Sequence, residues 1–197
     1  MQRLKIQIII AFSFMALTSC TVFGDVNVKE APFKVTSSDG VFETRQYKGL
    51  VLVSTKMPNG MDSATGPFRK LFDYISGENN KTKIIAMTAP VFLNQVEQTT
   101  KTMSFILPEE FSLSTAPQPL DPEIKVTELI DFSVAVIKFS GFLNQNSISS
   151  NESLLQNWIE KNGLKVNGNA KAAGYNPPFT LPFMRRNEIL LPIEMPG

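Results

Sequence analysis

Histidine is absent from all 197 residues, which removes the usual general base, the commonest metal ligand and any Ser-His or Cys-His nucleophilic pair. The single cysteine, Cys20, cannot by itself assemble a thiolate zinc or iron–sulfur site. No glycine-rich phosphate loop and no Ser-x-x-Lys pair occurs. Glu109 and Glu110 are adjacent, but neighbours on an extended chain point apart, which fits a solvated loop. The side chains that remain with chemical potential are basic or soft. Arg185 and Arg186 precede Glu188, a spacing suited to an ion pair, and their planar guanidiniums also match carboxylates in a two-pronged geometry. Met61, Arg69 and Lys70 lie on one flank of a predicted helix, where they could border a cleft. Met87 opens the run Met87-Thr88-Ala89-Pro90, which reads as a buried strand ending at a proline. These groups can bind, but they form no visible catalytic constellation.

The elements that must position them begin after an N-terminus of different character. Arg3 and Lys5 precede an apolar run from Ile6 to Leu17, too short to span a bilayer and suited to the core of a signal peptide. The run ends in Leu17-Thr18-Ser19-Cys20, which resembles the bacterial lipobox, whose cysteine is acylated and becomes the new N-terminus. As the only cysteine, Cys20 has no disulfide partner, so a thiol at this position needs another use. The reading is residues 1–19 as a lipoprotein signal peptide, 20–31 as lipidated cysteine and spacer, and 32–197 as one domain. Thr21, in place of an aspartate after the cysteine, points to the periplasmic face of the outer membrane in a Gram-negative cell. Removing residues 1–19 leaves 17 basic against 18 acidic residues, a net charge of about −1. No basic stripe remains to bind nucleic acid.

Hydrophobic content of 43% with 19% charged residues describes a globular domain. Val41–Tyr47 leads through Gly49 into Leu50–Val53, read as a hairpin-like pair. Phe68, Leu71, Phe72 and Ile75 then recur at i, i+3, i+4, i+7 and predict a helix with an apolar core face, started near Pro67 and ended by Gly77. Ile84–Phe92 and Met103–Leu107 read as strands. The order repeats with Ile124–Leu129 and Val134–Phe139. A helix follows, with Ser149 and Glu152 as a capping box, Leu154, Leu155, Trp158 and Ile159 as its face, and Gly163 as its stop. Val51 to Val134 spans 83 residues and Gly77 to Gly163 spans 86, so the two halves share one pattern. Two duplicated β-β-α-β-β units predict an α+β fold, a distorted antiparallel barrel or sheet carrying two helices.

Lys83-Ile84-Ile85-Ala86-Met87-Thr88-Ala89-Pro90-Val91 resembles the K-I-x-M-T-x-P-V segment of the SOUL haem-binding family. Phe42-Glu43-Thr44-Arg45-Gln46-Tyr47 is similar to that family's Y-E-x-R-x-Y strand, with Phe42 in place of tyrosine. Tyr74-Ile75-Ser76-Gly77 with Asn79, Phe105 to Pro108, Phe139 to Phe142, Tyr175-Asn176-Pro177-Pro178 and Arg185-Arg186-Asn187-Glu188 follow in the family's order. The resemblance implies a duplicated SOUL or effector-binding-domain-like barrel. It further implies a non-enzymatic role in binding haem or another tetrapyrrole, on an apolar surface near the first helix with basic side chains at the propionates. Met61, Arg69, Lys70, Met87, Arg185 and Arg186 are the ligand-binding candidates on that reading. Without histidine, an axial iron ligand would have to be Met, Tyr or Lys, and haem would be held by apolar burial and propionate pairing. Two other functions remain open at this stage: a general small-ligand or effector-binding module of the cell envelope, and a hydrolase of an apolar substrate using Glu and Tyr. A central buried glutamate in the cleft would favour a cationic ligand over a tetrapyrrole.

Overall fold

The structure, a computed structural model, describes residues 28–58, 64–96 and 100–194. Cys20, the signal peptide, most of the spacer and Met61 lie outside the described residues. Ten strands occur among them: β1 (Lys29–Glu30), β2 (Lys34–Asp39), β3 (Phe42–Met57), β4 (Thr88–Ala89), β5 (Val91–Val96), β6 (Thr100–Ile106), β7 (Lys125–Phe139), β8 (Lys165–Val166), β9 (Lys171–Gly174) and β10 (Asn187–Glu194). Helix α1 (Thr65–Ile75) follows β3, and α2 (Gln145–Lys161) follows β7.

Six strands close into an antiparallel barrel in the order β3-β6-β5-β9-β10-β7, with β7 returning to β3. Following ladder partners once round from Phe42 passes through Ile137, Ile189, Ala172, Leu93 and Met103 and returns to β3 at Thr55. A stagger of that size requires steeply tilted strands and leaves an interior that side chains fill. β2 folds back on β3 through Gly40, whose φ of +59° suits a residue without a Cβ. β1 and β4 form a separate parallel pair.

Three apolar clusters follow from alternation along the strands. The barrel interior holds Tyr47, Leu50, Leu52, Phe92, Phe132, Val134 and Leu190. On the outer face, α1 buries Leu71, Tyr74 and Ile75 against Val51, Val53, Met103 and Phe105. Also outside, α2 buries Leu155 and Ile159 against Ala135, Ile137, Ile189 and Leu191. The expected duplication is therefore realised as two long strands, each followed by a helix and an antiparallel pair.

Gly49 makes no turn. It stays paired to Ile130 inside a single continuous strand, and the hairpin read at this point belongs instead to Gly40. What changes at Lys48–Gly49 is the phase of alternation: Tyr47 faces the interior, and so do Leu50 and Leu52. The facing strand changes phase at the same level, where Asp131 takes a φ of +46°, so Leu129 and Phe132 both reach the interior. Ile84–Met87 is not strand either. The buried Asn79 organises that stretch, donating to the carbonyls of Tyr74 (3.0 Å) and Lys83 (2.8 Å) and accepting from the amides of Lys81 and Lys83. The helix stop at Gly77 agrees with its φ of +118°. The cap of α2 lies five residues before the Ser149 expected, where Asn144 accepts from the Ser147 amide at 3.0 Å and Ser147 accepts from the Asn144 amide at 3.1 Å.

Candidate functional site

Between the two helices the half-buried Val91 and Leu93 of β5, flanked by Gly174 and Ala172 of β9, form the floor of a trough whose β6 side is covered by α1. Phe105, Val91 and Gly174 are ladder partners across these strands, and Met103, Leu93 and Ala172 are partners one pleat further along. Around Leu93 and Ala172 the trough deepens into a cleft of about 460 Å³. Met57 and Leu191 complete its apolar base, and Gln145, Ile148, Glu152 and Gln156 of α2 line one side. The α1 side is aromatic. Phe68 packs edge-on against Phe105 at 5.1 Å and stacks with Phe72 at 6.2 Å, yet the two remain 40% and 48% exposed. The helical periodicity placed both rings in the core. Only Leu71 and Ile75 go there, whereas Phe68 leans edge-on against Phe105 of β6 and both rings stay partly in solvent.

At the upper end Leu143 lies over Gly174, where a Cβ would already be in van der Waals contact with the leucine side chain at 3.5 Å. Polar capacity is sparse but directed. Lys101 donates from Nζ to the Gln145 side chain at 3.0 Å, and the buried Asn94 Oδ1 has no protein partner. A buried acceptor of this kind favours a donor supplied by a ligand or water.

The basic and soft residues singled out from the sequence do not form one cluster. Met87 is half-buried and packs against the α1 core. Arg69 is exposed on α1. Lys70 turns to the opposite flank, where it pairs with Glu123 and lies 3.9 Å from Asp121. Met61 lies outside the described residues, four positions beyond Met57, which lines the cleft. Arg185 donates to the Thr180 carbonyl at 2.7 Å and covers the Phe142 ring, and so orders the segment between β9 and β10. Arg186 is committed to Glu30 (2.9 Å) and Glu188 (2.9 Å) and stacks on Tyr175 at 3.8 Å.

Glu188 anchors a charge cluster that closes one end of the barrel interior. Its Oε2 accepts from Arg45 Nη1 (2.7 Å) and Tyr175 Oη (2.8 Å), and its Oε1 accepts from Arg45 Nη2 (3.0 Å) and Arg186 Nε (3.0 Å). Arg45 also donates from Nε to Glu43 (2.8 Å), which takes Lys138 as its second partner, and the Arg45 guanidinium lies over Phe33 at 4.1 Å. Burial acts to raise the Glu188 pKa, but the hydrogen bonds and charge of Arg45, with Arg186 and Tyr175, hold it below the usual carboxylate range. Glu43 is likewise lowered against its burial, by Lys138 and Arg45. Burial and the neighbouring Glu188 charge drive the Tyr175 hydroxyl upward, so it stays a donor. The sequence offered a partial sign of this cluster, since Glu43 and Arg45 are two apart and share one face of a strand. Their partner on β10, 143 positions from Arg45, carries no local signal.

The closed barrel with a trough between pseudo-equivalent helices defines the class: a duplicated α+β barrel of the effector-binding-domain type. The C-terminal domain of EcmrR shares this fold with a TM-score of 0.61 at 12% identity, covering 78% of this chain and 96% of that domain. A hydrolase from Listeria innocua shares it with a TM-score of 0.55 at 9% identity, covering 81% of this chain and 94% of the other. At such identities the likeness concerns fold alone. Sequence comparison is more specific. Residues 28–192 match the family described as SOUL heme-binding protein, and heme-binding protein 2 of Homo sapiens is 32% identical over 173 residues, 82% of each chain. The chain belongs to the SOUL haem-binding protein family.

Proposed function

We propose that this protein binds a tetrapyrrole, with haem as the foremost candidate, in the interhelical trough and does not transform it. The observation that carries the reading is the exposed pair Phe68 and Phe72 on α1 with the half-buried Val91 and Leu93 on β5 and a cleft of about 460 Å³ at Leu93, in a chain whose relatives are named heme-binding proteins. The donor set fits a macrocycle held by apolar contact. It does not fit imidazole ligation, because the chain has no histidine. Met57 is the thioether that lines the cleft and would be the candidate to reach an iron there, whereas Met87 packs against the α1 cluster. Lys101, which lines the cleft, is the cation placed for a propionate, and Arg69 is exposed on α1, whereas Arg185 and Arg186 are already spent on the β9–β10 segment and the buried cluster. Bound haem would supply a redox-active iron. The chain's own residues would exclude water from one face of the ring and orient its acidic edge. The strongly paired carboxylates, Glu43 and Glu188, face the barrel interior with their oxygens occupied, so neither is available to a substrate or a cationic effector, and the carboxylate at the cleft is the half-buried Glu152 of α2.

The reading places the domain on a bacterial membrane, tethered through acylated Cys20 and facing the periplasm from the outer membrane. It is supported by the lipobox-like Leu17-Thr18-Ser19-Cys20 and the lack of any other cysteine. Titration of the domain with haemin tests the ligand. A saturable Soret shift without a bis-histidine spectrum is expected, and a response no larger than that of an unrelated protein would refute it.

A further inference from the structure

The segment joining β9 to β10 exposes more apolar surface than its order requires. Phe179 is 80% exposed, Phe183 73% and Met184 50%, and Phe142 beside them is 60% exposed. These side chains do not hang from a loose loop. Thr180 N–H donates to the Pro177 carbonyl (3.0 Å), Met184 N–H to the Leu181 carbonyl (2.9 Å), Gly141 N–H to the Pro182 carbonyl (2.8 Å), and Arg185 fastens the turn through Thr180. A segment built this firmly could have turned its rings inward. Contiguous exposed apolar groups on a folded surface mark a contact with something apolar.

The position of the N-terminal segment indicates what that contact is. Glu30 is ion-paired to Arg186, two residues after Met184, so the chain enters the domain beside this loop. Seven residues separate Cys20 from Val28, a reach of at most about 28 Å over the eight intervening steps when fully extended. An acyl group on Cys20 would hold this end of the barrel close to the bilayer. Several acyl chains on one cysteine would anchor the chain firmly, but a tether at a single point leaves the domain free to rotate, and a second apolar contact would fix its orientation.

We propose that the loop around Phe179, Phe183 and Met184 is a membrane-docking surface that inserts its rings into the lipid interface and fixes the orientation of the domain. The proposal rests on the reading of Cys20 as the anchor, and its test separates the two. Acylated full chain is placed on vesicles of phosphatidylethanolamine and phosphatidylglycerol carrying brominated acyl chains. In a Phe183→Trp variant, fluorescence is expected to blue-shift and to be quenched beyond the background set by the one native tryptophan, Trp158. Absence of that quenching overturns the docking proposal whatever the state of Cys20. Quenching in a protein whose mass shows an unmodified Cys20 overturns the anchor and retains the docking surface. The unacylated Cys20→Ser form should lose about tenfold to a hundredfold in vesicle partitioning for each ring removed in Phe179→Ser and Phe183→Ser, taking a buried phenylalanine at roughly 1.5–3 kcal/mol. If those substitutions instead leave partitioning unchanged and lower haemin affinity, the loop is a wall of the ligand site and the proposal fails.

Discussion

Replacing Glu188 by glutamine should be among the most damaging conservative changes in the protein. Glu188 and Arg45 both have fully buried side chains, so no solvent can compensate either of them. Each carboxylate oxygen accepts from two donors: Oε1 from Arg45 Nη2 and Arg186 Nε, Oε2 from Arg45 Nη1 and Tyr175 Oη. Glutamine keeps one oxygen. Whichever way its amide is turned, an NH₂ group then faces two donors, and a buried guanidinium loses half of its compensating charge. Removing one member of a buried ion pair costs about 3–5 kcal/mol, a large part of the roughly 5–15 kcal/mol that holds a domain folded. With a slope of about 2 kcal/mol per molar urea, the unfolding midpoint should fall by roughly 1.5–2.5 M. Urea titrations followed by circular dichroism and by Trp158 fluorescence would measure it. Arg45→Met combined with Glu188→Leu should be much milder than the sum of the single changes, because a well-packed apolar pair removes the stranded charge. A Glu188→Gln loss below about 1 kcal/mol would refute this reasoning and show that the cluster contributes little to stability.

Two further outcomes follow from the same structure. Glu188 and Glu43 have pKa values lowered by folding, so their stabilisation is complete above the unfolded value of about 4.3 and is lost as pH falls through the depressed native values. Thermal melts should therefore be level between about pH 5 and 7 and decline steeply below about pH 4, and Glu188→Gln should flatten that decline; an unchanged acid limb in the variant would contradict the assignment. Leu93→Glu should place a charge on the half-buried apolar floor of the cleft and lower haemin affinity by at least about tenfold. Unaltered haemin affinity in a folded Leu93→Glu protein would move the ligand elsewhere.

The repeat was legible because its signals are local. The 3.6-residue spacing of Leu71 and Ile75 and of Leu155 and Ile159, each ended by a glycine at positive φ, needed no tertiary information. Gly49 misled because glycine between two runs of β-formers ordinarily signals a turn, whereas here it belongs to a strand whose facing partner changes phase with it. Ile84 misled for a different reason. It continues an apolar run, but it is largely exposed, held out by a turn that the buried amide of Asn79 organises. The site was legible only in part. The ion pair read between these arginines and Glu188 holds for Arg186, but their second reading as ligand-binding cations fails because sequence does not show the backbone carbonyls that occupy Arg185 or the further pairing of Arg186 with Glu30. The trough itself depends on which strand faces lie between the helices, a property of register that no short motif encodes.

The long strands β3 and β7 bear on how the duplicated chain is divided. Going along β3, Phe42 packs with Trp158 in the α2 cluster, Leu50 and Leu52 reach the barrel interior, and Val53 and Met57 pack under α1. Along β7, Val126 joins the α1 cluster, Val134 the interior and Ile137 the α2 cluster. Each half thus lends a strand to the other half's helix, as two clasped hands share fingers. A fragment ending between β6 and β7 would expose the β3 edge and an uncovered interior face, and a second copy of that fragment is the surface most complementary to them. The repeat boundary seen in the sequence is for this reason no boundary in the folding unit.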